Sequence, residues 1–268
     1  MAIVQGDEIF SEIQQGDDLK KYAGDDRVVT SYDMLDHFHE QRQTVAIRSM
    51  QSQIPGLDFY IEGFFGGELT VISGPTKNGK TLLAQTFTDA FEKQKKHCLW
   101  FTFEVPAEQF LAQFDPLPFF IMPMQLRGNS LHWLRQRIFE AQLKYGLDAV
   151  FIDHLHFLID MSRHNISLEI GHVMRELKRM ALEFNVCFFL MAHMGKVKHE
   201  GELDNDSLRD SSFVAQEADN VFFVKRSPHE DNQAILKITA NRRKGVMNKK
   251  VYLVKVGKYL REVAYGND

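Results

Sequence analysis

The segment Gly74-Pro75-Thr76-Lys77-Asn78-Gly79-Lys80-Thr81 constrains this chain more than any other. It satisfies G-x-x-x-x-G-K-[ST] at every fixed position, between an apolar run, Leu69 to Ser73, and a helical pattern, Thr81 to Lys95. The glycines let the backbone curl until consecutive N–H groups face inward and can hold phosphate oxygens. A helix opening directly afterwards offers its positive N-terminus to the same anion. Lys80 would reach the β- and γ-phosphates, and the Thr81 hydroxyl would ligate Mg²⁺. The loop requires a strand before it and a helix after it, which is how the flanking residues read, so this is a nucleotide-binding site.

The rest of the chain alternates in the same way. Cys98 to Phe103 is a strand, a short helix starts near Ala107, Asn129 to Tyr145 is helical, and Asp148 to Ile152 is a buried strand. Ile166, Ile170, Val173, Met174, Leu177, Ala181 and Phe184 recur at spacings of three and four, so one face of that helix is buried. Val186 to Met191 is apolar throughout, as a strand covered on both faces should be. Four further short strands, Asn220 to Val224, Ala234 to Thr239, Lys249 to Val254 and Tyr259 to Val263, have no helix between them and read as hairpins. Ahead of the core, Ser31 is the expected cap of a helix running to about Gln51, which Pro55-Gly56 would end. The expected fold is α/β, with a mainly parallel sheet flanked by helices and an antiparallel C-terminal hairpin extension.

Composition removes several alternatives. Of 268 residues 44% are apolar and 25% charged, which excludes wholesale disorder. The longest apolar runs fall far short of the roughly 20 residues that span a bilayer, and MAIVQGDEIF carries no secretory pattern. Cys98 and Cys187 sit inside apolar runs and read as core residues in a reducing compartment. A chain without a membrane segment, acting in the cytoplasm (or as a viral protein in the host cytoplasm), is expected. The net charge of −4 conceals a division: residues 1–50 hold ten acidic against five basic side chains, whereas 225–261 hold eleven basic against two acidic. Such a chain can carry a basic, nucleic-acid-binding face, or the lysines can simply protect hairpin edges.

Two carboxylates accompany the loop. Ala149-Val150-Phe151-Ile152-Asp153 ends a buried strand in an acid, so Asp153 would hold Mg²⁺ through a water at the sheet edge where ligands of open α/β folds collect. Glu104 follows its strand and is either a base for the attacking water or a solvated residue ahead of Val105-Pro106; spacing alone does not choose.

Taken together, several segments resemble the RecA-like ATPase domain of DnaB-type replicative helicases, over roughly residues 54–263. Phe101-Thr102-Phe103-Glu104-Val105-Pro106-Ala107-Glu108-Gln109 is similar to the family's S-L-E-M-P-A-E-Q, whose glutamate is the catalytic base; by resemblance that is Glu104. Phe151 to Leu158 resembles V-I-D-Y-L-Q-L-M, and Phe189 to Met194 the next motif, in which the position of His193 senses the γ-phosphate. Ser207 to Ser212, then Gln216 to Asn220, resembles D-L-R-E-S-G…Q-D-A-D-x, which makes Arg209, Asp210 and Ser212 DNA-contact candidates. Asn241-Arg242-Arg243-Lys244-Gly245 is similar to K-Q-R-N-G, whose arginine reaches into the neighbouring subunit's ATP site; matched on the glycine, that arginine is Arg243. The family's companion lysine falls on Asn241, a departure for which Arg242 or Lys244 would have to substitute.

The resemblance implies a RecA-like P-loop NTPase core at 54–268 behind an acidic tail and linker helix at 1–53, in which Met34, Leu35 and Phe38 would be the contact residues. It implies an ATP hydrolase using ATP and Mg²⁺, a homo-oligomer forming a hexameric ring, single-stranded DNA as partner, and contact with primase or other replication proteins. Only about 50 residues precede the core, too few for the usual N-terminal domain, which suggests a viral or mobile-element protein. The competing expectation is a RecA- or KaiC-like ATPase that binds DNA without unwinding it.

Overall fold

The computed structural model describes residues 27–35, 49–128, 130–159, 166–193, 216–227 and 230–263. The chain divides into two compact units, Met1–Ile47 and Arg48–Asp268. In the first, residues 31–35 are helical, and the cap is Thr30 where Ser31 was expected. The Thr30 N–H donates to the Asp33 carboxylate at 3.0 Å, and the Asp33 N–H returns to Thr30 Oγ1 at 3.2 Å, a reciprocal capping box. Phe38 lies outside the described residues.

In the larger unit, Met50 pairs with Phe64 across an isolated bridge, so the expected helix does not extend to Gln51. Pro55 opens a helix where one was expected to end. It occupies the first turn of α1 (Pro55–Ile61), where its missing N–H costs nothing. The order then continues β1 (Leu69–Gly74), α2 (Lys80–Lys93), β2 (Cys98–Thr102), α3 (Ala107–Leu111), α4 (Leu131–Tyr145), β3 (Ala149–Asp153), α5 (Ile166–Phe184), β4 (Cys187–His193), β5 (Asn220–Arg226), β6 (Gln233–Asn241), β7 (Val246–Val256) and β8 (Tyr259–Glu262).

The strands form one eight-stranded sheet in the order β2-β3-β4-β1-β5-β6-β7-β8. β2, β3, β4, β1 and β5 are parallel, and β5 to β8 form an antiparallel meander, as the strand patterning leads one to expect. The central strands are buried along their whole length because helices cover both faces. Side chains therefore divide by parity between two cores. Phe189 joins Phe64, Phe87, Phe91, Phe151 and Phe222 on one face. Its neighbour Phe188 joins Val150, Leu190, Val173 and Leu177 on the other, where α4 and α5 pack. Of the predicted stripe of α5, Ile170, Val173, Met174, Leu177 and Ala181 are buried and Phe184 is partly buried, Met180 joins them, and the side chain of Ile166 lies outside the described residues. Ser130 caps α4 by accepting the Trp133 N–H at 3.2 Å. Both cysteines are free and buried.

Candidate nucleotide site

Parallel pairing carries the site residues to one edge of the sheet. Thr102 is in register with Asp153, Asp153 with Met191, and Gly74 with His193, so the carboxyl ends of β1, β2, β3 and β4 converge. The phosphate loop leaves β1 there, as sheets of this kind place their ligands. Gly74 at φ 147° and Gly79 at φ 95° supply the backbone freedom the curl requires. Gly79 caps α2 without a side-chain hydrogen bond, leaving the helix N–H groups facing the loop. Asn78 braces the loop from within: its Nδ2 donates to Thr76 O at 3.0 Å, and its Oδ1 accepts the Arg226 N–H at 2.9 Å. That contact with β5 was not legible in the sequence.

Lys80 is 4% exposed and donates to the carbonyls of Gly74 and Pro75, each at 3.0 Å. Burial lowers its pKa, opposed by the charges of Asp153 and Glu104. Thr81 Oγ1 donates to Asp153 Oδ2 at 3.0 Å, the contact expected of two residues that share a metal ion. Asp153 is 1% exposed. Burial raises its pKa, against the lowering effects of His154, the Thr81 hydrogen bond and Lys80, while Glu104 raises it further. Its Oδ1 makes no hydrogen bond among the described residues and stands 3.3 Å from His154 Nε2.

Glu104 lies two residues past β2, its side chain about half exposed, with Oε2 2.6 Å from His154 Nε2. Glu104, Asp153 and His154 thus form a cluster whose ligand atoms all lie within 4.8 Å of one another. His154 is the residue of this site to which sequence reasoning gave no role; its signal was only a polar side chain directly after the strand acid. His193 is positioned through its backbone at the end of β4, opposite Gly74. Arg209, Asp210 and Ser212 lie outside the described residues.

Arg243 is at the opposite end of the sheet. It sits in the β6–β7 turn, beside Asn241, which pairs with Asn220 at the start of β5. Its Nε donates to Glu68 Oε1 at 3.0 Å and its NH2 group to Gly63 O at 3.1 Å and to Ile61 O, with the guanidinium 4.0 Å from the centre of the Phe65 ring. Glu68 immediately precedes β1, and the phosphate loop comes directly after that strand. The six residues of β1 separate Arg243 from its own chain's loop by roughly 20 Å. Asn241 is 2% exposed; its Nδ2 donates to Asn220 Oδ1 at 2.5 Å and its Oδ1 accepts the Lys244 N–H at 2.7 Å. It locks the turn internally and is not available to a neighbour. Arg242 is more open, its side chain 56% exposed, 3.7 Å from Asp219.

Among the described residues no helix is long and apolar enough to cross a membrane. The family model of the DnaB-like helicase C terminal domain matches residues 111–261, and that of the KaiC ATPases residues 50–128. A probable replicative DNA helicase of Trieres chinensis is 25% identical over 220 residues, covering 68% of this chain and 48% of the relative. The chain spans about half the length of the curated relatives it matches. Among solved structures, an isolated ATPase domain aligns with a TM-score of 0.77 at 16% identity, over 88% of this chain and 99% of that one. A DnaB-like replicative helicase described with its interactions with primase aligns with a TM-score of 0.73 at 17% identity, over 96% of this chain and 71% of the other. These likenesses establish the RecA-like fold. The first family model covers more than half of the 268 residues, and by that match the chain belongs to the DnaB-like helicase C-terminal domain family.

Proposed function

We propose that this chain is the motor of an ATP-dependent DNA helicase: a ring, of six copies by the family resemblance, that hydrolyses ATP between subunits to move along single-stranded DNA and part the duplex. The observation that carries the reading is the division of the machinery between the two ends of β1. Lys80, Thr81, Asp153 and Glu104 converge at its carboxyl end, while Arg243 stands at its amino end, away from its own chain's loop, which supports a role for it at the site of another copy. Membership in the helicase family supports the choice of substrate.

In this reading Lys80 exchanges the Gly74 and Pro75 carbonyls for the β- and γ-phosphates, which relieves a buried ammonium of its poorly matched partners. The donor set fits Mg²⁺: the Thr81 hydroxyl and the Asp153 carboxylate are hard oxygens, and Asp153 Oδ1, which makes no hydrogen bond among the described residues, can accept one from a metal-bound water. When bound, the ion neutralises charge on the phosphates. Glu104 accepts the proton of the attacking water, and Arg243 of the adjacent subunit stabilises the charge that develops on the γ-phosphate. His193, at the end of β4 beside Gly74, couples phosphate occupancy to Arg209, Asp210 and Ser212, which hold the DNA backbone. The motor works in the cytoplasm with replication proteins such as primase, a partner suggested by the solved helicase described with it.

The test is hydrolysis with and without single-stranded DNA, read together with native mass and strand displacement on a forked duplex. Arg243→Ala and Lys80→Ala should each abolish DNA-stimulated hydrolysis, and mixing the two should restore part of it, because one interface in the mixture then holds an intact loop facing an intact arginine. Hydrolysis by Arg243→Ala at the wild-type rate would refute the division of labour. Hydrolysis indifferent to DNA would replace the helicase with the KaiC-like regulator class.

A further inference from the structure

Glu104 and His154 are brought together by the β2–β3 ladder. The Phe103 N–H donates to Asp153 O at 2.8 Å, one step past the last strand pair, and this sets the next residue of each chain segment side by side. The two residues then differ in freedom. Glu104 belongs to a turn after the edge strand, and its side chain is about half exposed. His154 comes after a strand inside the sheet and its side chain is 4% exposed, so its ring is fixed by packing. The 2.6 Å contact between Nε2 and Oε2 therefore transfers the rigidity of the ring to the carboxylate. It engages one carboxylate oxygen of Glu104, Oε2, and not the other.

We infer that His154 is the positioning residue of the catalytic base: its Nε2–H holds Glu104 Oε2, so that Oε1 is presented at a set distance from Asp153 and the phosphate loop. The inference rests on the reading of Glu104 as base and adds a residue to it. Where the resembling family has tyrosine after the strand acid, this chain has a histidine that reaches the glutamate itself. A base left to sample several rotamers spends only part of its time in the reactive one, and misplacement on the ångström scale can cost up to about 10²-fold in rate.

His154→Phe keeps a flat ring and removes the donor, whereas His154→Gln restores a donor. With single-stranded DNA present, His154→Phe should lower kcat about tenfold and leave KM for ATP within about twofold, because a misplaced base slows the chemical step and not the binding. His154→Gln should recover most of the loss. In a Glu104→Gln background, where only slow residual hydrolysis is expected, His154→Phe should lower the rate no further. Wild-type or increased kcat in His154→Phe, or a loss expressed in KM, would overturn the inference. If Glu104→Gln hydrolyses ATP normally, the assignment of the base fails; if it is inactive while His154→Phe is normal, only the positioning role fails. Should His154→Phe not fold, the imidazole nitrogen shifts of His154 are read in wild type and Glu104→Ala. Loss of the base must move them, and unchanged shifts reject the pairing.

Discussion

Gly74 and Gly79 bracket the phosphate loop, and replacing each by alanine should expose two different costs. At Gly74, φ is 147° and an added Cβ would stand 2.2 Å from Val224 O, 3.2 Å from Val224 C and 3.4 Å from Val224 N. All three are backbone atoms of β5, the parallel neighbour of β1, so no side chain can swing aside. Real Cβ contacts essentially never fall below 3.0 Å, and the strands must part by close to 0.8 Å to reach that limit. Parting them strains one or two ladder hydrogen bonds beside the Ser73–Phe223 pair, at ~0.5–1.5 kcal/mol each. The sparse backbone region adds ~1–3 kcal/mol, so Gly74→Ala should cost about 2–6 kcal/mol in all. At Gly79, φ is 95° and the nearest atom to the new Cβ is Val224 Cγ1 at 4.0 Å, an ordinary contact. Only the backbone penalty remains, ~1–2 kcal/mol. Urea unfolding measures both, and thermal melts should fall by about 10 °C for Gly74→Ala and about 4 °C for Gly79→Ala. Equal losses, or a larger one at Gly79, would refute the argument that the proximity of β5, and not backbone conformation alone, demands the first glycine.

Two further perturbations separate function from stability. Burial, its first cause, raises the Asp153 pKa above the unfolded value, so the ionised carboxylate opposes folding at neutral pH, and stability from this group grows as pH falls through the folded pKa toward the unfolded one. Asp153→Asn should therefore abolish Mg²⁺-dependent hydrolysis while raising stability at pH 7 by ~1 kcal/mol, with the gain shrinking in melts at lower pH; a destabilised variant would contradict this. Asn241→Lys restores the residue of the resembling family, but it would put a charge into a site 2% exposed and break the bonds to Asn220 and Lys244. The expected result is a loss of ~2 kcal/mol or more in urea unfolding and no gain in hydrolysis, and a more active variant would show that the hairpin can direct this side chain outward.

The features that could be read from the sequence are those carried by neighbours along the chain. The phosphate loop is a local pattern of glycines, the stripe of α5 is a local period, and the apolar run ending in Asp153 marks both a buried strand and its acid. Boundaries moved where a local signal had two meanings. Proline stops a helix or occupies its first turn, and at Pro55 it does the second; Thr30 and Ser31 are both good caps, and Asp33 selects Thr30 by answering its N–H. β7 extends from Val246 to Val256, beyond the expected Lys249 to Val254, because Val246 and Met247 pair with Asn241 and Ala240 of β6.

Features that were not legible depend on partners far apart in the chain. Arg243 in a basic turn reads as an exposed cation, yet its carboxylate partner Glu68 is 175 positions away and its aromatic partner Phe65 belongs to the same distant turn. Asn241 reads as the loss of a lysine until its burial against Asn220 gives it a role inside the hairpin. His154 and Glu104, 50 positions apart, become neighbours only through the register of β2 on β3. In each case the residue types were visible and their chemistry was not, because the partners are set by pairing between segments distant in the chain, whose register no local pattern specifies. The same topology explains why the machinery divides. The phosphate loop grows out of the carboxyl end of β1, whereas Arg243 is bound to Glu68 at the amino end. A strand keeps its two ends apart by its own length, so this loop and this arginine cannot meet within one copy.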